Sequence, residues 1–242
     1  MLQNHPFAVQ ACLEHTIVLS FAVPKEALQP LVPAPLQLDV YHQKWAFIAV
    51  ALVHTKHLRP KGFPKFMGNS FTLVGYRIFV RYANQAGKSL RGLYILKSET
   101  NKRKMEILGN LFTQYKYATT DITVHKEADK ITIKSHQSKF HITLQQRGNP
   151  VELPPSSPFT DWKTARRFAG PLPFTFSVHE KNKTVLIIEG QRQNWNPAPL
   201  AIVSYSFEFL DSLNLSPIIL ANAFEIRQVP YCWKKGKLET WQ

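Results

Sequence analysis

The sequence predicts a β-dominated α+β fold with many strands and two or three short flanking helices. Three observations carry this prediction. The chain has 16 Phe and only 3 Met, a ratio typical of a rigid, β-rich interior. Apolar and β-branched runs recur between turn residues along its whole length. Helical spacing of apolar residues is limited to a few short stretches.

The first 64 residues predict three strands and one short helix. Residues 16–22 form an apolar, β-branched run without a turn residue, so we expect a strand. A short helix is predicted over residues 25–31, because prolines precede and close it. Residues 36–41 and 44–52 suggest a hairpin, and the Pro and Gly content of residues 59–64 indicates a loop.

The clearest long strand is predicted over residues 71–82, followed by a second one at 92–98. Alternation puts its residues on two faces: Val74, Tyr76, Ile78 and Val80 on one, and Leu73, Gly75, Arg77, Phe79 and Arg81 on the other. An arginine alternating with a glycine and aromatics suits a barrel wall that faces a partly polar cavity.

The stretch 97–117 predicts a helix that begins with positive charge. Apolar residues recur at helical spacing at Met105, Leu108 and Phe112. Either Thr100 or Asn101 would be the N-cap. Lys102, Arg103 and Lys104 occupy the first turn, the positive end of the helix dipole, which invites an anion. The alternative is a solvated first turn partly balanced by Glu106.

The second half continues with strands around one capped helix. Strands are predicted at residues 117–125, 130–136, 140–146, 174–179, 184–189, 200–209 and 221–229, and the helix at 160–168. Residues 148–158 contain four prolines and two serines, and a crossover inside one barrel explains them better than a domain linker.

The positive charge is concentrated in one segment. The chain carries a formal charge of +14, and residues 51–110, with twelve Lys or Arg and two Glu, carry +10 of it. Such a field attracts anionic partners of any kind, whereas the simpler interpretation is a solvated basic surface.

Several function classes lack support. Cys12 and Cys232 are far apart and show no zinc-type spacing, so neither a disulfide framework nor a zinc site is expected. The nine histidines form no ligand set, and no metal or other cofactor is predicted. No phosphate loop, nucleophile elbow or dinucleotide fingerprint occurs. Without a signal peptide or an apolar run long enough for a membrane span, we expect a cytoplasmic protein and no membrane partner.

Ordered landmarks along nearly the whole chain suggest a family. They are residues 23–33, 36–39, Trp45, 59–62, Arg77, Tyr115, Ala118, 188–189 and Trp195. In this order they resemble the uncharacterised bacterial family called domain of unknown function 2071, within the acetoacetate decarboxylase-like superfamily. The resemblance implies one domain over residues 1–242, an antiparallel barrel-like sheet around a central cavity with flanking helices. It implies no reaction, because fold does not fix function.

Departures from the family pattern argue against decarboxylation. Leu73 and Gly75 stand where family members often have a glutamate and an asparagine. The decarboxylase uses adjacent lysines, one of which forms a Schiff base. Residues 109–110 are the corresponding region here and have no amine, and Lys102 and Lys104 are two apart on a helix and do not face each other.

Six residues are candidates for binding a ligand: Arg77, Glu99, Asn101, Lys102, Asn110 and Tyr115. Arg77 would hold a carboxylate in a bidentate contact, or pair internally with Glu99. Glu99 suits a fixed counter-ion better than a general acid. Asn101, Asn110 and Tyr115 would orient a small ligand, although turn and capping roles are commoner for such residues.

Three functions remain open. The first is a small-molecule binding or enzymatic barrel for a carboxylate-type anion, with Trp195 either capping one cavity mouth or simply buried. The second is a nucleic-acid or acidic-partner protein using residues 51–110, which we place behind the first because no recognised module is present. The third is a non-catalytic oligomeric scaffold, and a homo-oligomer remains open in every case.

Overall fold

A large curled sheet and a smaller four-stranded sheet make up most of the protein. The computed structural model describes residues 2–145, 151–193 and 195–241. The strands are β1 Val9–Pro24, β2 Gln37–Leu38, β3 Trp45–Pro60, β4 Asn69–Ala83, β5 Ser89–Thr100, β6 Tyr117–Thr119, β7 Thr123–Lys126, β8 Lys130–Ser135, β9 Phe140–Gln145, β10 Phe174–His179, β11 Thr184–Arg192, β12 Ala198–Pro199, β13 Ile202–Phe207, β14 Ile219–Trp233 and β15 Lys237–Thr240. The helices are α1 Lys25–Leu28, α2 Arg103–Phe112, α3 Trp162–Ala169 and α4 Glu208–Ser212.

Seven strands close into a ring. The order is β14–β1–β3–β4–β5–β10–β11, and β11 pairs back onto β14 in the register Gly190 to Trp233 and Arg192 to Tyr231. Most pairs are antiparallel, but β10 and β6 both run parallel to β5. The sheet is therefore barrel-like as predicted, and mixed where the sequence suggested an antiparallel one.

The second sheet, ordered β13–β9–β8–β7, packs on the outside of the ring. The contact forms the largest buried cluster, in which Val74, Tyr76 and Ile78 of β4 pack with residues such as Ile133 and Ile142. The predicted alternation of β4 is confirmed, because these residues are fully buried outside the ring while Leu73, Arg77 and Phe79 face its interior.

The hairpin predicted over residues 36–52 forms only at its turn, where Tyr41 makes an isolated antiparallel bridge to Trp45. β2 pairs with β4, in the register Gln37 to Arg81, rather than with β3. Asp39, which is fully buried just after β2, accepts hydrogen bonds from the Nε atoms of Arg81 and Arg91, both at 2.6 Å. These charge-assisted bonds join the residue after β2 to β4 and β5, contacts distant in sequence that local pattern does not reveal.

Both cap candidates for α2 are wrong as well. Lys102 is the N-cap and makes no side-chain capping bond. Asn101 Oδ1 accepts the Thr72 N–H at 2.8 Å, and Thr100 Oγ1 donates to the Thr72 carbonyl at 3.2 Å. These side chains therefore attach the start of α2 to β4.

Other element boundaries differ from the predicted ones. The predicted strand at 117–125 divides into β6 and β7, the one at 200–209 ends in α4, and β15 was not predicted. The proposed break at 148–158 lies partly outside the described residues. Over the described ranges four α-helices occur rather than two or three, and none of them is long and apolar enough to cross a membrane.

Candidate functional site

The ring encloses a cavity of about 180 Å³. Its wall is largely apolar, with aliphatic residues of β1, β3, β4 and β5 on the sides. Ala169 at the end of α3 lines one part, and Met105 of α2 lines another. The strands thus supply a rigid apolar chamber, and the two helices pack against it.

Arg77 is the principal polar group on the β4 side of this chamber. Its Nε is buried and has no hydrogen-bond partner among the described residues. The guanidinium lies over Gly75, whose missing Cβ would come within 3.0 Å of Nε and 3.1 Å of one Nη atom. Gly75 therefore gives the Arg77 side chain the space to lie along the strand.

Three phenols join Arg77 in the cavity: Tyr115, Tyr117 and Tyr231. Burial lowers the pKa of Arg77, and its interaction with the phenols opposes that shift. Burial raises the pKa of Tyr117 to about 12 and also raises the pKa of Tyr115 and Tyr231. The phenols consequently keep their protons at neutral pH and can donate hydrogen bonds to an anion.

Further polar atoms on the wall lack partners within the described part of the chain. They are Thr16 Oγ1, His5 Nδ1 and the indole Nε1 of Trp195. Burial lowers the pKa of His5, so this imidazole is neutral at pH 7. Buried polar groups without partners are rare and mark places where a ligand or water would bind.

The charged side chains that line the described wall of the cavity are both arginines. Its second cation is Arg192, which donates from Nη2 to the Pro171 carbonyl at 2.9 Å and stacks 4.5 Å from the centroid of the Trp195 ring. No lysine, aspartate or glutamate lines the wall over the described ranges. This arrangement suits an anion receptor and lacks the amine that Schiff-base chemistry needs.

An aromatic ring packs against residues 109–110, the region that the sequence resemblance suggested as the counterpart of the decarboxylase lysines. A Cβ on Gly109 would lie 2.4 Å from the Tyr117 ring. Asn110 holds the Tyr117 backbone on both sides, since its Oδ1 accepts the Tyr117 N–H at 2.8 Å and its Nδ2 donates to the Tyr117 carbonyl at 2.9 Å. The Tyr117 phenol lines the cavity next to this region.

Of the six predicted ligand residues, only Arg77 and Tyr115 line the cavity. Tyr115 Oη lies 2.7 Å from Thr175 Oγ1. Asn101 and Asn110 make the backbone contacts described above, and Lys102 is exposed at the start of α2. These three residues have structural or solvent-facing positions.

Glu99 is buried on the face of β5 that points away from the cavity. It pairs with the ammonium of Lys97 at 2.7 Å, so the alternative of an Arg77–Glu99 pair is not formed. The reason is strand alternation, since Glu99 pairs with Val74 in the register of the two strands and shares its outward face.

The basic segment is dispersed rather than gathered into one surface. Arg77 faces the cavity, Arg81 and Arg91 are bound to Asp39, and Lys97 is bound to Glu99. Lys56 pairs with Glu14 on β1. Only part of the +10 charge is therefore free to form an external field.

Several residues that line the cavity were not predicted from the sequence. Thr16, Tyr117, Arg192 and Tyr231 come from four different strands or their ends, and their common position depends on the ring closure. Tyr231 carried one usable signal, because it alternates with Val229 and Trp233 at the end of a long apolar strand. No metal cluster of three or more His, Cys, Asp or Glu side chains is found in the described chain.

Residues 10–226 match the family DUF2071, described as an uncharacterized conserved protein. The chain belongs to this family. None of the curated proteins matches the chain significantly. The family match confirms the resemblance inferred from the ordered landmarks.

Solved structures show its fold. An acetoacetate decarboxylase from Legionella pneumophila superposes with a TM-score of 0.67 at 10% identity, covering 97% of this chain and 88% of that one. An acetoacetate decarboxylase-like enzyme from Sphingomonas wittichii gives 0.59 at 10% identity, with coverages of 100% and 96%. The enduracididine biosynthesis enzyme MppR, complexed with a condensation product of pyruvate and imidazole 4-carboxaldehyde, gives 0.55 at 7% identity, with coverages of 96% and 88%. The DUF2071 protein thus has an acetoacetate decarboxylase-like fold.

Proposed function

We propose that this protein binds a small apolar monocarboxylate inside the ring, with Arg77 holding the carboxylate. The observation that carries the proposal is the buried, unpartnered Nε of Arg77 in a cavity whose wall has no acidic residue over the described ranges. A buried donor without an acceptor costs about 1–3 kcal/mol, and a ligand carboxylate would remove that cost. The phenols of Tyr115, Tyr117 and Tyr231 are neutral donors around the same point.

The size and lining of the cavity support an apolar body for this ligand. An apolar cavity of about 150 Å³ accommodates benzene. The cavity here, at about 180 Å³, therefore suits one ring or a branched chain next to the carboxylate. The MppR complex supports the idea that this fold admits small molecules derived from an oxo acid.

The proposal concerns non-covalent binding. A decarboxylase of the Schiff-base type needs a cavity amine, and the lysines near Gly109 in sequence are exposed on α2. A nucleic-acid function is supported less, because Arg77, Arg81, Arg91 and Lys97 are used inside the protein. A purely structural scaffold would favour a cavity without charge.

The test compares phenylacetate with its neutral isostere phenylacetamide by calorimetry. The wild type is expected to bind the acid at least about tenfold more tightly than the amide, since a hydrogen bond to a charged group contributes about 1.5–3 kcal/mol. Arg77→Met should remove this preference. Benzoate and isovalerate extend the panel to a shorter and a branched acid.

The matched control is Arg103→Met, which removes one exposed charge from α2. It should leave the acid-over-amide preference intact. Thermal melting of both variants establishes that they fold, and Arg77→Met should melt no lower than the wild type because an unpaired buried charge is gone. Equal acid binding by folded Arg77→Met protein would refute the proposal, as would the absence of binding across the whole panel.

A further inference from the structure

A second concave site shares two of its lining residues, Arg192 and Tyr231, with the cavity. We call it the basic groove, and its volume is about 660 Å³. Its cationic side chains come from the end of β3, the turn that follows and the end of β11: Arg59, Lys61, Lys65 and Arg192, with His57 beside them. No aspartate or glutamate lines the groove in the described part of the chain.

These cations are not neutralised by the protein. Lys56, Lys97, Lys139, Lys234 and Lys237 all form ion pairs with glutamates. Within the described residues, no such pair involves Arg59, Lys61 or Lys65, although the three line one groove. Like charges in one concavity repel each other, and a bound anion would remove that repulsion.

The groove is held in shape by its backbone. Arg59 donates from Nε to the Phe63 carbonyl at 2.8 Å and from Nη1 to the His57 carbonyl at 2.7 Å, which fixes its guanidinium. The Lys61 N–H donates to the Ala8 carbonyl at 2.8 Å and attaches the turn to the start of β1. Gly68 packs directly against the backbone of His57. These backbone contacts thus hold the segment after β3 that carries Lys61 and Lys65.

We propose that the basic groove binds the phosphate group of a small soluble molecule. Four cations line one concavity, and backbone carbonyls hold two of them, Arg59 and Arg192. Such a cluster matches a group with more than one negative charge better than a single carboxylate, and lysine serves as a point-charge ligand for phosphate. The amides of Gln10, Gln191 and Gln193 add donors on the same wall. A small occupant suits a groove of about 660 Å³, and much of the basic segment is neutralised elsewhere. This proposal does not depend on the carboxylate proposal.

The test measures binding of inorganic pyrophosphate to the full-length protein by calorimetry at low ionic strength. Lys61→Ala combined with Lys65→Ala should weaken binding by roughly tenfold, since each substitution removes one ionic contact made by an exposed lysine. The control pair is Lys126→Ala with Lys134→Ala, two exposed lysines on the outer sheet. It removes the same net charge and should leave the affinity within about twofold of the wild type.

Three outcomes would overturn the proposal. They are unchanged pyrophosphate affinity in the groove variant, an equal loss in the control pair, and displacement of pyrophosphate by a single-stranded oligonucleotide at a much lower concentration. The last would indicate a nucleic-acid site instead. Arg77→Met should bind pyrophosphate like the wild type, so that failure here and failure of the carboxylate proposal remain distinguishable.

Discussion

At the scale of single residues, the candidate site depends on one small residue next to one large one. Arg77 lies along β4 directly over Gly75, where a side chain would crowd the guanidinium. The sequence resemblance suggested that this glycine is a departure from the family pattern, which argued against decarboxylation. In the folded chain it creates the space that the guanidinium occupies.

Gly75→Ala tests this pairing directly. The new Cβ would lie 3.0–3.1 Å from the Arg77 side chain, so the guanidinium must shift by a few tenths of an ångström. We expect several-fold weaker phenylacetate binding. Stability should stay the same or rise by about 0.4–1 kcal/mol, because alanine restricts the unfolded chain. Calorimetry and denaturant unfolding measure the two effects separately, and unchanged affinity would show that the position of Arg77 does not matter.

At the scale of elements, the sequence predicts which face of a strand a side chain lies on better than it predicts which strands pair. The alternation in β4 placed Arg77 on the interior face, and local pattern was enough for that. It could not place β2, whose pairing with β4 is held by Asp39 contacts to arginines more than 40 residues away. It also misplaced the cap of α2, because Asn101 is bound to Thr72 on a different strand. Both errors come from side chains satisfied by distant groups.

One further polar contact at this scale gives a pH prediction. Asp121 closes the β8–β9 turn, where its carboxylate accepts the Ser135 hydroxyl at 2.5 Å, the Gln137 N–H at 3.0 Å and the His136 N–H at 3.1 Å. These hydrogen bonds, the Ser135 one foremost, hold the pKa of Asp121 well below its usual range. A depressed folded-state pKa stabilises the protein above the unfolded value of about 3.9, and this contribution is lost as the pH falls further.

Asp121→Asn should therefore lower stability at neutral pH and flatten its decline below about pH 4. The measurement is the urea midpoint of both proteins from about pH 7 to about pH 3. Asp129→Asn, in the exposed neighbouring turn, is the control and should keep the wild-type pH profile. An acid decline in Asp121→Asn as steep as in the wild type would contradict the assignment.

At the scale of the whole molecule, ring closure assembles the site. Thr16, Arg77, Tyr115 and Tyr231 are spread over more than 200 residues, and they meet because β11 pairs with β14 and completes the circle. The order of landmarks in the sequence was sufficient to predict a barrel-like fold with a cavity. It was not sufficient to predict which side chains share that cavity, because this depends on the register of every strand in the ring.

The cavity as a whole predicts how affinity should vary with pH. Its phenols have raised pKa values, His5 has a lowered one, and no lysine lines the described wall. None of the shifted groups gains or loses a proton between about pH 7 and 9, and the ligand carboxylate is ionised throughout this range. Phenylacetate affinity measured by calorimetry should accordingly stay constant from pH 7 to pH 9, and a tenfold decline there would instead indicate a titrating amine in contact with the ligand.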